Sequence, residues 1–170
     1  ILTGFSDGFS VGAAPNGDRR IQTLADAGVD TTCVERDPQA ATGVALITVD
    51  AGGHNTLVVA LGANDCIGAQ VIDRCAAVLD GASLLVLQHE TPMDGVVRAI
   101  ELAHGRGVPV VLNPAPAHPD VLPLLGMVDY LIPNESELRL LSGCEDIPEG
   151  VKHLQALGAR RIIVTLGEQG

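Results

Sequence analysis

Four places in this 170-residue chain set polar side chains directly after an apolar run. Gln88-His89-Glu90-Thr91-Pro92 follows a run at 83–88, and Asn113-Pro114-Ala115-Pro116-Ala117 follows one at 108–112. Pro133-Asn134-Glu135-Ser136-Glu137 follows 129–132, and Thr165-Leu166-Gly167-Glu168-Gln169-Gly170 closes 161–165. A carboxylate such as Glu90 can accept hydrogen bonds from sugar hydroxyls, and His89 could serve as a general base. Asn134 opens a helix with Glu137 three residues on. The functional reading is that this helix N-terminus would face phosphates, with Asn134 donating to them and Glu137 positioning magnesium or its waters. Gly167 and Gly170 permit close backbone approach to a nucleotide, and Thr165 supplies a hydroxyl. That last turn is neither a P-loop nor a GxGxxG fingerprint, because it lacks their spacing and the Lys.

Each place also has a plainer reading. Glu90 and Thr91 could simply begin the next helix, with Thr91 capping and Pro92 in the first turn. A lone His is commonly a satisfied structural residue. Pro114 and Pro116 hold the Asn113 exit extended and stiff, which suits a pocket wall or an ordinary strand-ending loop. Asn134 and Glu137 have the spacing of a capping box, which satisfies backbone N–H groups with no ligand at all.

The elements that must position these residues alternate. The spacing predicts a helix over 18–27 ending at Gly28, with a loop after it. Thr42–Val49 and Asn55–Leu61 are β-branched and apolar, separated by Asp50-Ala51-Gly52-Gly53-His54, and predict an antiparallel hairpin. From residue 66 onward the pattern predicts helix 68–79, strand 83–88, helix 93–105, strand 108–112, a short helix 119–125 and strand 129–132. Helices 135–142 and 148–157 and strand 161–165 follow. Right-handed crossovers would make this sheet parallel, with ligands at its carboxyl ends. The hairpin fits that alternation poorly and is expected to project from one edge as a lid.

Composition narrows the function classes. The chain is 46% hydrophobic but only 2% aromatic, so its core must be aliphatic and base-stacking platforms are nearly excluded. A formal charge of −11 repels nucleic acid and anionic membranes. The four cysteines form neither a CxxC pair nor a disulfide framework, no apolar stretch is long enough for a membrane span, and a cytoplasmic protein is expected. The chain starts with Ile1 and stops inside a Gly-rich turn, which leads us to expect a segment of a longer protein.

Taken in order, Ala41-Thr42-Gly43-Val44-Ala45-Leu46-Ile47, Gly62-Ala63-Asn64, Asn113-Pro114-Ala115-Pro116-Ala117, Val128-Asp129, Pro133-Asn134-Glu135-Ser136-Glu137 and Val164-Thr165-Leu166-Gly167 resemble the ribokinase-like, phosphofructokinase-B-type carbohydrate kinases. The likeness covers nearly the whole chain and corresponds to the central segment of such an enzyme. It implies an α/β fold, a parallel sheet flanked by helices with a small antiparallel β lid, here as one partial domain over 1–170 with 42–61 as the lid. It implies transfer of the γ-phosphoryl of ATP to a sugar hydroxyl, most specifically D-ribose to ribose 5-phosphate.

By that resemblance Glu90 binds the sugar, and Asn134 together with Thr165, Leu166, Gly167, Glu168, Gln169 and Gly170 lines the nucleotide site. Asn113 and Glu137 lie in the phosphate and magnesium region, Glu137 reaching Mg2+ through water. The family's base, an Asp in a Gly-Ala-Gly-Asp motif, would lie beyond residue 170, so no catalytic residue is assigned and the isolated chain is expected to be inactive. The family's monovalent-cation (K+) loop, Gly-Gly-rich sugar motif and sugar-binding Asp are not found either. Where relatives carry Gly-Asp-Asp-x-x-Gly this chain has Gly12-Ala13-Ala14-Pro15-Asn16-Gly17, and residues 1–11 match poorly. Alternatives are a noncatalytic nucleotide- or sugar-binding module, a homodimer through the lid, or a kinase of fructose, a deoxysugar acid or a nucleoside.

Overall fold

A computed structural model describes residues 10–12, 15–50, 52–53 and 55–169. The chain divides into two compact units, one ending at Ile67 and the other beginning at Gly68.

In the first unit, β1 (Ser10–Gly12) lies parallel to β2 (Glu35–Asp37), with α1 (Pro15–Asp26) as the crossover. Helix α1 opens earlier than the predicted residue 18, at Pro15, whose fixed φ suits a first turn. It ends at Asp26, and Gly28, at φ 81°, turns the chain away in the left-handed region. The loop predicted after it contains β2, which Glu35, Arg36 and Asp37 conceal because none is apolar; the pairing with β1 makes this segment a strand. β3 (Val44–Val49) and β4 (Asn55–Ala60) form the predicted antiparallel hairpin, in register from Val44 opposite Ala60 to Val49 opposite Asn55. Leu46 and Ile47 point to opposite faces of β3 and are 66% and 61% exposed, so neither side of that strand is packed. At its base the backbones come very close: a Cβ on Gly62 would run into the Ala41 carbonyl oxygen, and one on Gly43 would sit 2.6 Å from that of Leu61.

The second unit is built on β5 (Leu85–Leu87), β6 (Val110–Leu112) and β7 (Tyr130–Leu131), all parallel and adjacent in that order. Helix α3 (Met93–Gly105) buries Val96, Ala99, Ile100 and Ala103, the i, i+3, i+4, i+7 stripe that one helix face presents. Val96, Ile100 and Ala103 pack in one cluster with Val110, Leu112 and Leu131 of the strands. Leu124 and Leu125 of the 3-10 segment Pro119–Met127, Leu138 and Leu141 of α4 (Glu135–Ser142), and Leu154 of α5 (Ile147–Ala156) complete this aliphatic core. Asp129 fixes the start of β7: its Oδ2 accepts from Val110 N–H at 2.9 Å while its own N–H donates to Val110 O.

Several elements differ from the expected boundaries, among them β5 and β7, which are shorter than the strands expected at 83–88 and 129–132, and three have a visible cause. The helix expected over 68–79 is α2 (Ala69–Arg74) followed by a 3-10 turn, Ala76–Leu79, because Cys75 takes φ −95° and ψ 3°. β6 begins at Val110 rather than 108, since Val108 N–H turns back to Ala103 O and Pro109 has no N–H to give. The strand expected at 161–165 is reduced to isolated bridges, Ile162 with Leu131 and Thr165 with Asn134. Leu131 N–H donates to Arg161 O, and Ile163 and Thr165 donate to Leu131 O and Pro133 O. The next rung of a parallel ladder needs an N–H at position 133, and Pro133 cannot supply it.

Candidate functional site

The parallel register brings the predicted residues to one edge of the second unit's sheet. Asn113 N–H donates to Leu87 O, Ile132 N–H to Leu112 O and Thr165 N–H to Pro133 O, so four chain exits leave side by side. Glu90, Asn113, Asn134 and Thr165 stand on or just beyond those exits, in chain order.

At the β5 exit, His89 and Glu90 part company. His89 is 6% exposed while Glu90 faces solvent. His89 N–H donates to Ala115 O at 3.0 Å, and its ring Nδ1 lies 3.0 Å from Pro116 O. A carbonyl only accepts, so the ring proton sits on Nδ1. Burial lowers the proton affinity of this imidazole, opposed by the Pro116 carbonyl and the negative charge of Glu137 and assisted by His118. The plainer reading of Thr91 as a helix cap does not hold, since Pro92 occupies the N-cap position with no side-chain cap. Asp94, in the first turn of α3, instead caps α2 by accepting from Ala69 N–H at 2.9 Å. Helix α3 thus starts without using Glu90 or Thr91.

At the β6 exit Pro114 is buried and Asn113 half-buried. Among the described residues, the buried side-chain atoms left without a hydrogen-bond partner are Asn113 Oδ1 and His89 Nε2. Both are acceptors with no donor among the described residues.

At the β7 exit the capping box is present in full. Asn134 Oδ1 accepts from Glu137 N–H at 2.8 Å, while Glu137 Oε2 accepts from Asn134 N–H at 2.8 Å. A further bond, Asn134 Nδ2 to Glu137 Oε1 at 2.9 Å, closes the pair. Each carboxylate oxygen keeps a second lone pair, and Asn134 Nδ2 keeps a second proton. Capping and ligand contact are therefore compatible at these two residues.

The last exit carries Thr165, exposed, then Leu166, half-buried, and a 3-10 turn over Gly167–Gln169 with φ 61° at Gly167 and Glu168 exposed. Gly170 lies outside the described residues. No group of three or more His, Cys, Asp or Glu side chains among the described residues could hold a metal ion by itself. A single carboxylate such as Glu137 would fit Mg2+ only together with waters and a phosphorylated ligand, since Mg2+ keeps several waters and takes few protein carboxylates. No helix among the described residues is long and apolar enough to cross a membrane.

Residues 8–170 match the model of the pfkB family carbohydrate kinases, and the chain belongs to that family. It is 37% identical over 159 residues to a deoxyribokinase of Salmonella typhi, covering 90% of this chain and 52% of that protein. A ribokinase of Staphylococcus aureus is 35% identical over 149 residues, covering 85% and 49%. Among solved structures, Arabidopsis thaliana ribokinase complexed with ribose and ATP aligns with a TM-score of 0.86 at 27% identity, covering 97% of this chain and 56% of that one. Thermotoga maritima ribokinase aligns at 0.84 and 28%, covering 97% and 55%. The chain spans about half the length of the curated relatives it matches. The ribokinase-like architecture expected from the motifs is the observed one.

Proposed function

We propose that the protein carrying this chain is an ATP-dependent pentose kinase of the cytoplasm, with D-ribose giving ribose 5-phosphate as the leading reaction. The observation that carries this reading is the meeting of Glu90, Asn113, Asn134 with Glu137, and Thr165–Gln169 on one sheet edge, in the order the motifs occur. Exposed Glu90 accepts from sugar hydroxyls. The remaining Nδ2 proton of Asn134 donates to phosphate at the N-terminus of α4, where the helix dipole also favours an anion. Glu137 holds Asn134 in that orientation and offers its outer lone pairs to waters on Mg2+, whose chemistry is to neutralise charge on the transferring phosphoryl group. The Thr165–Gly170 turn lines the nucleotide. We assign neither the base for the attacking hydroxyl nor a K+ site within these 170 residues, and expect the isolated chain to be inactive.

The likeness to a deoxyribokinase supports 2-deoxyribose as a second substrate candidate. A separate reading, a homodimer or noncatalytic binding module, is favoured by the hairpin, where Leu46, Ile47, Val49 and Val58 are all exposed. The test is ATP-dependent phosphorylation of ribose and 2-deoxyribose by the complete protein, with Glu137→Ala as control. Transfer to either sugar, reduced in the control, supports the kinase; no transfer, together with a concentration-dependent dimer in sedimentation, supports the module.

A further inference from the structure

We propose that His89 is a positioning residue that sets Glu90 against the Asn113–Ala117 loop; the role rests on the sugar-kinase reading above. His89 is held at two consecutive carbonyls of that loop, by its backbone N–H on Ala115 O and its Nδ1–H on Pro116 O, each at 3.0 Å. The residue is only 6% exposed. An imidazole buried there loses its water and recovers that loss only through such bonds. A leucine would fill similar space and keep only the backbone bond to Ala115 O. Glu90 is the next residue and faces solvent, so the direction of its carboxylate follows from how firmly His89 is anchored. The same loop begins at Asn113, so one buried side chain ties the sugar-binding turn to the neighbouring exit.

The ring's other nitrogen supplies a rival. Nε2 is buried without a partner and could accept from a donor outside the chain. Two substitutions separate the alternatives. His89→Asn puts an amide donor where Nδ1 stands and removes Nε2; His89→Gln places its polar atoms at the Nε2 position and gives up the donor to Pro116.

The experiment uses the complete protein, with initial rates measured against ribose, 2-deoxyribose and ATP. His89→Leu is expected to raise the sugar KM about tenfold, as for one lost anchoring hydrogen bond, while kcat and the ATP KM stay within about twofold. His89→Asn should restore the sugar KM to within about twofold of wild type, and His89→Gln should not. A sugar KM unchanged in His89→Leu, or rescue by Gln in place of Asn, overturns the role. Should the Leu variant fail to fold, the Asn and Gln pair decides. If the wild-type protein phosphorylates neither sugar, the kinase reading and this role fall together; if it does and the variants match it, this role alone falls. Nitrogen-15 spectra of the His89 ring give an answer without turnover, since an Nε2-protonated tautomer would overturn the anchor directly.

Discussion

Asn134 and Glu137 hold each other through three hydrogen bonds, each residue both donating and accepting, at the first turn of α4. The arrangement caps the helix and at the same time fixes an amide proton and a carboxylate at the exit of β7. Asn134→Ala is expected to lower the unfolding free energy by about 1 kcal/mol, the usual loss for an N-cap. Glu137→Gln keeps the backbone donor and one side-chain acceptor for the cap, gives up the bond from Asn134 Nδ2, and should cost under about 1 kcal/mol while removing charge from the phosphate region. Chemical denaturation set beside kinase rates separates the two roles: the Gln variant should fold normally and turn over more slowly.

Asp129 is a structural carboxylate. Its Oδ2 receives Val110 N–H at the start of β6, and its Oδ1 faces Arg160 at 3.4 Å. Asp129→Ala leaves a partly buried N–H without a partner and should cost about 1–3 kcal/mol, whereas Arg160→Ala, on an exposed side chain, should cost under about 1 kcal/mol. Denaturation midpoints of the two variants that came out equal would contradict this assignment.

Burial of neutral His89 makes stability depend on pH. Its native proton affinity is lowered from the ordinary 6.5, so on acidification the unfolded chain takes up the proton first. Its stabilising contribution is full above pH 6.5 and declines as pH falls below it, until the native ring titrates too. Asp37 acts in a lower window. Its carboxyl is held below 3.8 by the N–H groups of Gln39 and Ala40, so its contribution persists above that value and is lost only beneath it. Melting temperatures followed from about pH 7 to 5 should fall in the wild type and fall less in His89→Asn.

Packing divides the apolar residues into two kinds. Ile100 is fully buried in α3, and Ile100→Ala should cost about 2–5 kcal/mol. Leu46→Ala, in the exposed hairpin, should stay within about 0.5 kcal/mol in a dilute monomer. Gly62→Ala is different again: at φ +55° its methyl would meet the Ala41 carbonyl, so the base of the hairpin must open. Loss of the β3–β4 pairing in amide exchange, with the second unit's protection intact, is the expected signature.

What could be read from the chain follows a physical division. Helices 93–105 and 135–142 were legible to the residue because their signals lie within one turn: Pro92 before α3, the Asn134–Glu137 box, and Gly143 beyond α4 with φ 69°. The hairpin was legible from its β-branched runs and the length of its loop, and the polar exits from their place after apolar runs. By residue type Thr91 suits a cap as well as a loop, and only the observed start of α3 decides between them.

By itself the sequence determined where apolar runs end, which residues cap helices and which polar groups stand at the exits, because bonds spanning three or four residues and the period of side-chain burial are local. Tertiary structure alone decided the rest. Glu35–Asp37 became a strand only through β1, and Pro133 broke a ladder that its own position in sequence does not reveal. Likewise His89 became an anchored, neutral side chain only where two exits met, with a carbonyl 27 residues away. Each of these depends on a partner distant in the chain, and no local pattern specifies which distant backbone group will be there.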